Sequence, residues 1–147
     1  MATTASRNTM TGFYFEDIAT VKHNGINVSK HALYRFLDSR GIKWEDILSR
    51  KLLPDEAYWN EETKTLSVFE KKYQQIEGSA DEKPQTCGFK IQQFKKIGKA
   101  IGAETVTYTY IFNDWFKQPR YKDMLEYIES VDGCGYIFFE GDEIVVA

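Results

Sequence analysis

Asp55, Glu70 and Lys72 are the residues of this chain whose types and spacing suit chemistry. The run Leu66-Ser67-Val68-Phe69-Glu70-Lys71-Lys72-Tyr73-Gln74 reads at the two-residue period of a β-strand. Leu66, Val68, Glu70, Lys72 and Gln74 share one face, and Ser67, Phe69, Lys71 and Tyr73 the other. One face therefore begins apolar and ends in a carboxylate, an ammonium and an amide. Leu53-Pro54-Asp55 leads into a shorter strand, Glu56–Trp59, and the polar Asn60-Glu61-Glu62-Thr63-Lys64 is a turn joining the two antiparallel. A turn centred on Glu62 sets Asp55 across from Phe69 and beside Glu70. Two carboxylates and an ammonium then converge at one sheet edge. Hard cations such as magnesium take carboxylate oxygens, keep several waters and complete their shell with substrate phosphate oxygens. Asp55 and Glu70 are the candidate metal-ligating carboxylates, with the main-chain carbonyl of Lys71 as a further ligand. Water on such a metal loses its proton readily and becomes a nucleophile. Lys72, on the face of Glu70, would hold that water or hydroxide and meet the phosphate as a charged donor. Gln74 continues the face as a substrate contact.

The elements around this hairpin follow from periodicity. Asn27-Val28-Ser29 can cap a helix whose apolar stripe is Ala32, Leu33, Phe36 and Leu37 and which Gly41 ends. Phe13 to Val21 is apolar enough to pack as a strand or a helix, with His23-Asn24-Gly25 as a turn after it. Ile42 to Leu48 carries the chain to Leu53 as a short helix or as a first strand of the sheet. Glu77 to Thr86 is a polar, glycine- and proline-bearing loop. Phe89 to Ile101 places Ile91, Phe94, Ile97 and Ile101 at helical spacing, with Lys90, Lys95, Lys96 and Lys99 largely off the stripe. It is the densest basic cluster in the chain, and Lys90, Lys95 and Lys96 are candidate phosphate contacts. Thr105 to Phe112 is strongly β-prone, and the helix before it suits a crossover back to the sheet. Pro119 can open a helix through Met124, Leu125 and Ile128. Tyr136–Phe139, the turn Glu140-Gly141-Asp142 and Ile144–Val146 read as a terminal hairpin.

Composition bounds the alternatives. A chain of 147 residues makes one domain of ordinary size, residues 12–147, behind a small polar arm at 1–11. The net charge of −3 argues against a broadly basic nucleic-acid binder but not against DNA held through a local patch or a metal. Cys87 and Cys134 are too few for a disulfide framework and lack metal-ligand spacing. No apolar run reaches membrane-spanning length and the opening residues lack a signal-peptide core, which points to the cytoplasm and away from a membrane. His23 and His31 form no nucleophile-base constellation. Cys87 opens a helix, where a thiol can be acidified, but reads better as a small helix-start residue.

Pro54-Asp55 followed by Glu70-Lys71-Lys72 within an apolar strand resembles the signature of the PD-(D/E)XK nuclease superfamily. The resemblance runs from residue 29 to about 112, and the order of elements is similar to that superfamily's αβββαβ core. It implies an α/β fold of the restriction-endonuclease-like kind, with a mixed central sheet flanked by helices. It also implies a deoxyribonuclease that hydrolyses DNA phosphodiesters with magnesium or manganese. Asp55 and Glu70 would ligate the metal and Lys72 would orient the water. Restriction-type cleavage by so small a nuclease needs two active sites, so a homodimer is the natural assembly. Action on branched DNA, or a non-catalytic DNA-binding or interaction module, are the alternatives. Many relatives carry a further acid on the first helix, where this chain has only Asp38 near the end; Glu16 and Glu45 are weaker substitutes. The triplet Glu62-Thr63-Lys64 has the same Glu-x-Lys form but falls in the turn and takes no role.

Overall fold

An eight-residue strand, β4 (Thr65–Lys72), sits at the middle of the sheet and is flanked on both sides. The computed structural model describes residues 15, 19, 21–74, 83–139 and 144–145. Within them the chain forms β1 (Val21–Lys22), β2 (Ile26–Asn27), α1 (Ala32–Ser39), β3 (Glu56–Asn60), β4, α2 (Cys87–Ile101), β5 (Thr105–Phe112), α3 (Lys122–Ser130), β6 (Cys134–Phe138) and β7 (Ile144–Val145). The main sheet has five strands in the order β2-β3-β4-β5-β6. β2, β3 and β4 pair antiparallel, whereas β4, β5 and β6 pair parallel, with α2 and α3 as the connecting helices. The protein is thus α/β with a mixed sheet.

Both faces of the sheet are covered, which is why the central strands are apolar on both sides. Leu66, Val68, Tyr108, Tyr110 and Phe112 point to the face that meets Leu33 and Leu37 of α1, Ile91, Phe94 and Ile97 of α2, and Ile128 of α3. A ladder of rings runs through this core, from Phe94 stacked on Tyr108, by way of Tyr110, to Phe112 and Phe116. Tyr58, Phe69 and Ile111 point the other way and pack with Phe15, Ala19 and Val21. Helix α2 lies close on β5 because Gly98 has no side chain there: a Cβ would come within 2.4 Å of Val106 Cγ2. It ends where Gly102 turns left-handed (φ 82°) and the Ala103 amide reaches back to the Gly98 carbonyl, a Schellman cap.

Several expectations need revision. Of the two forms open to the stretch 42–53, short helix or first strand, it takes the helical one, as the single 3-10 turn Trp44–Asp46. Consequently two strands, not three, follow α1 before α2, and β2, which precedes α1, takes the outer place beside β3. The terminal hairpin does not form. β6 joins β5 in parallel through α3, and β7 pairs in parallel with β1 in a separate two-stranded sheet. A parallel strand is added by a helical crossover, and the α3 connection supplies one, leaving Ile144–Val145 to pair elsewhere. The polar arm and most of the 77–86 loop lie outside the described residues; Lys83–Thr86 is a 3-10 turn leading into α2. Among the described residues no helix is long and apolar enough to cross a membrane.

Candidate functional site

The hairpin turn decides how the two carboxylates meet. Asn60 Oδ1 accepts the amides of Glu62 and Thr63 at 3.0 and 3.1 Å, and Lys64 adopts the left-handed conformation (φ 53°) that closes the loop. The loop therefore spans Glu61–Lys64, with Asn60 opposite Thr65 and Glu56 opposite Phe69. This is one residue removed from a turn centred on Glu62. The ladder ends at Glu56 opposite Phe69, so Asp55, in the bend just before β3, lies past Phe69 on the side of Glu70. The difference matters because strand residues alternate faces, and a residue paired with Phe69 would face away from Glu70. The start of β3 is held from outside: the Lys30 amide donates to the Pro54 carbonyl at 2.8 Å, and Pro54 is buried.

Around this pair the bonds are specific. Asp55 Oδ2 accepts the Lys71 amide at 2.8 Å. Glu70 Oε2 accepts the Tyr108 hydroxyl, from the adjacent strand β5, at 2.7 Å. Burial raises the Glu70 carboxyl above the ordinary carboxylate value and the nearby charge of Asp55 adds to it, while the Tyr108 hydrogen bond, Lys72 and Lys90 pull the other way. Burial and the charge of Glu70 push the Tyr108 phenol far up, so it remains a proton donor. Asp55, Glu70, Lys72, Lys90 and Tyr108 thus form one electrostatic group on one face, at the C-terminal ends of the parallel strands.

Each oxygen so far engaged leaves another. Asp55 retains Oδ1 and Glu70 retains Oε1 for a cation. The N–H and C=O of a strand residue project to the same side of the strand, so the Lys71 carbonyl points to the side on which its amide meets Asp55. Two carboxylates and one main-chain carbonyl fit a hard divalent ion that keeps several waters. Among the described residues no group of three His, Cys, Asp or Glu side chains is placed to hold a metal.

The other expected contacts are distributed more widely. Lys90, in the first turn of α2, acts on Glu70 and belongs to the group. Lys95 is turned to Asp132, at 3.2 Å, beyond the opposite ends of the parallel strands, and Lys96 is exposed on the helix's outer surface. Gln74 is only 7% exposed, and Asn113 clamps its main chain, accepting its amide at 3.1 Å and donating to its carbonyl at 2.7 Å. Asp38 and Glu45 line a hollow beside Trp44, and Glu16 lies outside the described residues. Cys87 opens α2 as a buried residue, and burial raises its thiol, which is the reverse of activation.

Two residues of consequence escaped sequence reasoning. Tyr108 reads as core from its strand pattern, and much of its ring is; its hydroxyl alone reaches the site. Glu56 sits on the opposite face, where its carboxylate meets Lys71 Nζ at 3.2 Å and accepts the Tyr58 hydroxyl at 2.8 Å and the Val21 amide at 3.2–3.3 Å. A carboxylate inside the apolar run Ala57-Tyr58-Trp59 was the available signal, since a buried acid needs partners. No family model, curated protein or solved structure matches this chain.

Proposed function

We propose that this protein is a metal-dependent deoxyribonuclease of the restriction-endonuclease-like kind, hydrolysing DNA phosphodiester bonds with magnesium, or manganese in its place. The observation that carries the reading is the meeting of Asp55 and Glu70 on one sheet face, with Lys72, Lys90 and Tyr108 around them. Supporting it is the sequence of elements from α1 through the β3–β4 hairpin and α2 to β5 in parallel with β4, which is similar to the superfamily's core apart from the missing third strand.

In this reading Asp55 and Glu70 are the catalytic carboxylates that hold the metal, joined by the Lys71 carbonyl. The metal supplies a more acidic water and offsets charge on the phosphate. The chain's own residues do the rest. The Lys71 amide holds Asp55 through Oδ2, and Tyr108 holds Glu70 through Oε2, which leaves Oδ1 and Oε1 for the metal. Lys72, on the face of Glu70, donates hydrogen bonds to the attacking oxygen and to the phosphate. Lys90 extends positive charge from the site along the helix, where the DNA backbone would pass.

The test is incubation of the full chain with supercoiled, linear, single-stranded and four-way-junction DNA, with and without magnesium or manganese. Metal-dependent cleavage that vanishes in Asp55→Ala and Lys72→Ala supports the reading. Binding without cleavage of any of these substrates replaces it with a non-catalytic DNA-binding module. Cleavage confined to the junction selects the structure-specific alternative over restriction-type cutting, and the spacing of double-strand cuts reports whether two copies act together.

A further inference from the structure

We infer that the hollow between α1 and the arm leading to Asp55 is a subsite for a nucleoside phosphate, a reading that rests on the proposed nuclease activity and names part of its substrate. The hollow has a volume of about 510 Å³, within the range that holds a nucleotide-sized ligand. Trp44 and Tyr34 form an aromatic wall, their rings edge to face with centroids 6.1 Å apart. Lys51 enters between them, its Nζ 5.0 Å from the Tyr34 centroid and 5.3 Å from that of Trp44. Cation–π contact of this kind holds an ammonium in place without neutralising it.

Arg35 and Lys43 line the same hollow, and among the described residues neither they nor Lys51 has a carboxylate within ion-pairing distance. Asp38 and Glu45 also reach its wall, so the lining is mixed with cations in excess. Three cations against two carboxylates, none of the cations drawn into an ion pair among the described residues and one of them seated on aromatic rings, suit a ligand that brings its own phosphate and a planar base.

Its position relative to Asp55 gives the subsite a role. The Tyr34 hydroxyl donates to the Leu52 carbonyl and accepts the Leu52 amide, each at 2.6 Å, so the pocket wall and the arm are tied together. Asp55 lies four residue steps after Lys51, a span of at most about 14 Å when fully extended. A phosphate at Lys51 is therefore only a few nucleotides from one at Asp55 and Glu70. The pocket would grip the strand flanking the cleaved bond and set which phosphate is presented to the metal.

The experiment measures fluorescence anisotropy of labelled single-stranded and duplex oligonucleotides on the full chain, in EDTA, as a function of salt. It compares wild type, the double variant Lys43→Gln/Lys51→Gln and the control Lys122→Gln. Each is also titrated with manganese by calorimetry. The double variant is expected to lose roughly tenfold in affinity for single strands and to flatten the salt slope by about 1.4, the share of two phosphate contacts. Adenosine monophosphate that competes at millimolar concentration identifies free nucleotides as a second source of the ligand; failure to compete assigns the pocket to the strand. Affinity and slope equal to those of Lys122→Gln overturn the subsite. No manganese binding by wild type or either variant, with the oligonucleotide effect retained, defeats the nuclease reading and leaves the pocket standing. Manganese binding retained with no oligonucleotide effect does the reverse.

Discussion

At the end of β4 two successive residues, Glu70 and Lys71, turn to opposite faces of the sheet, and each meets a carboxylate at the start of β3. Lys71 meets Glu56 in a closed arrangement: their side chains are 8% and 9% exposed, and the Tyr58 hydroxyl and Val21 amide satisfy the remaining carboxylate oxygens. Glu70 meets Asp55, another anion, and its carboxyl is raised by burial first and by that neighbouring charge second. Lys72 and Lys90 only moderate that, and oxygens of both acids remain uncommitted. Adjacent residues on one strand pair thus build a completed ion pair on one side and an electrostatically strained group on the other. Buried charge that is fully partnered holds a structure together. Buried charge left facing its own kind is where a cation is wanted.

The largest test of this contrast removes the strained group. Asp55→Ala should abolish metal-dependent cleavage, a loss of roughly a thousandfold or more, with the fold retained by circular dichroism. Lys72→Ala, which leaves the metal ligands in place, should cost about 10²–10³-fold in kcat with manganese affinity little changed. If Lys72→Ala instead lowers only metal affinity, its assigned place beside the attacking oxygen is wrong.

On the completed side the effect should appear in stability. Glu56→Gln or Lys71→Met removes one charge of the buried pair and should cost about 3–5 kcal/mol in denaturant unfolding, whereas replacing both together should recover much of that loss. Additive losses would show that the two side chains do not depend on each other.

Glu70→Gln should behave in the opposite sense to Glu56→Gln. The folded carboxyl of Glu70 lies above its unfolded value, so its favourable contribution is complete below the unfolded value and is lost as pH rises through the folded one. Above the folded value the ionised side chain works against the fold, and there Glu70→Gln should stabilise it by about 0.5–2 kcal/mol while eliminating cleavage. A destabilised Glu70→Gln would mean the site is not strained.

The smallest effect belongs to Tyr108→Phe. Losing the hydrogen bond that counteracts burial should raise the Glu70 carboxyl further, shift the acid limb of manganese binding to higher pH and weaken binding at neutral pH by about tenfold. An unmoved acid limb would confine Tyr108 to packing.

Much of this was legible from side-chain order alone. The alternation of Thr105–Phe112 predicts a strand and places Tyr108, Tyr110 and Phe112 on one face, and the spacing of Ile91, Phe94, Ile97 and Ile101 predicts the helix that covers them. Such patterns are local, because each residue's exposure follows from the period of its own element. The register of β3 was not legible, since it turned on Asn60 accepting two amides and on Lys64 entering a left-handed conformation. Nor was the partner of Ile144–Val145, which lies far back in the chain at Val21–Lys22.

By itself the sequence determined the strands β3, β4 and β5 and the helices α1, α2 and α3, that Glu70 and Lys72 share a face, and that Lys71 faces away from them. Only the tertiary structure decided that Asp55 comes beside Glu70, that Tyr108 and Lys90 act on the same carboxylate, and that Glu56 is tied up with Lys71. The physical reason is one of range. Periodicity assigns a side chain to a face from its neighbours in sequence, whereas the charge state of a carboxylate depends on groups brought to it from other strands and helices, and those distances exist only once the sheet has paired in a single register.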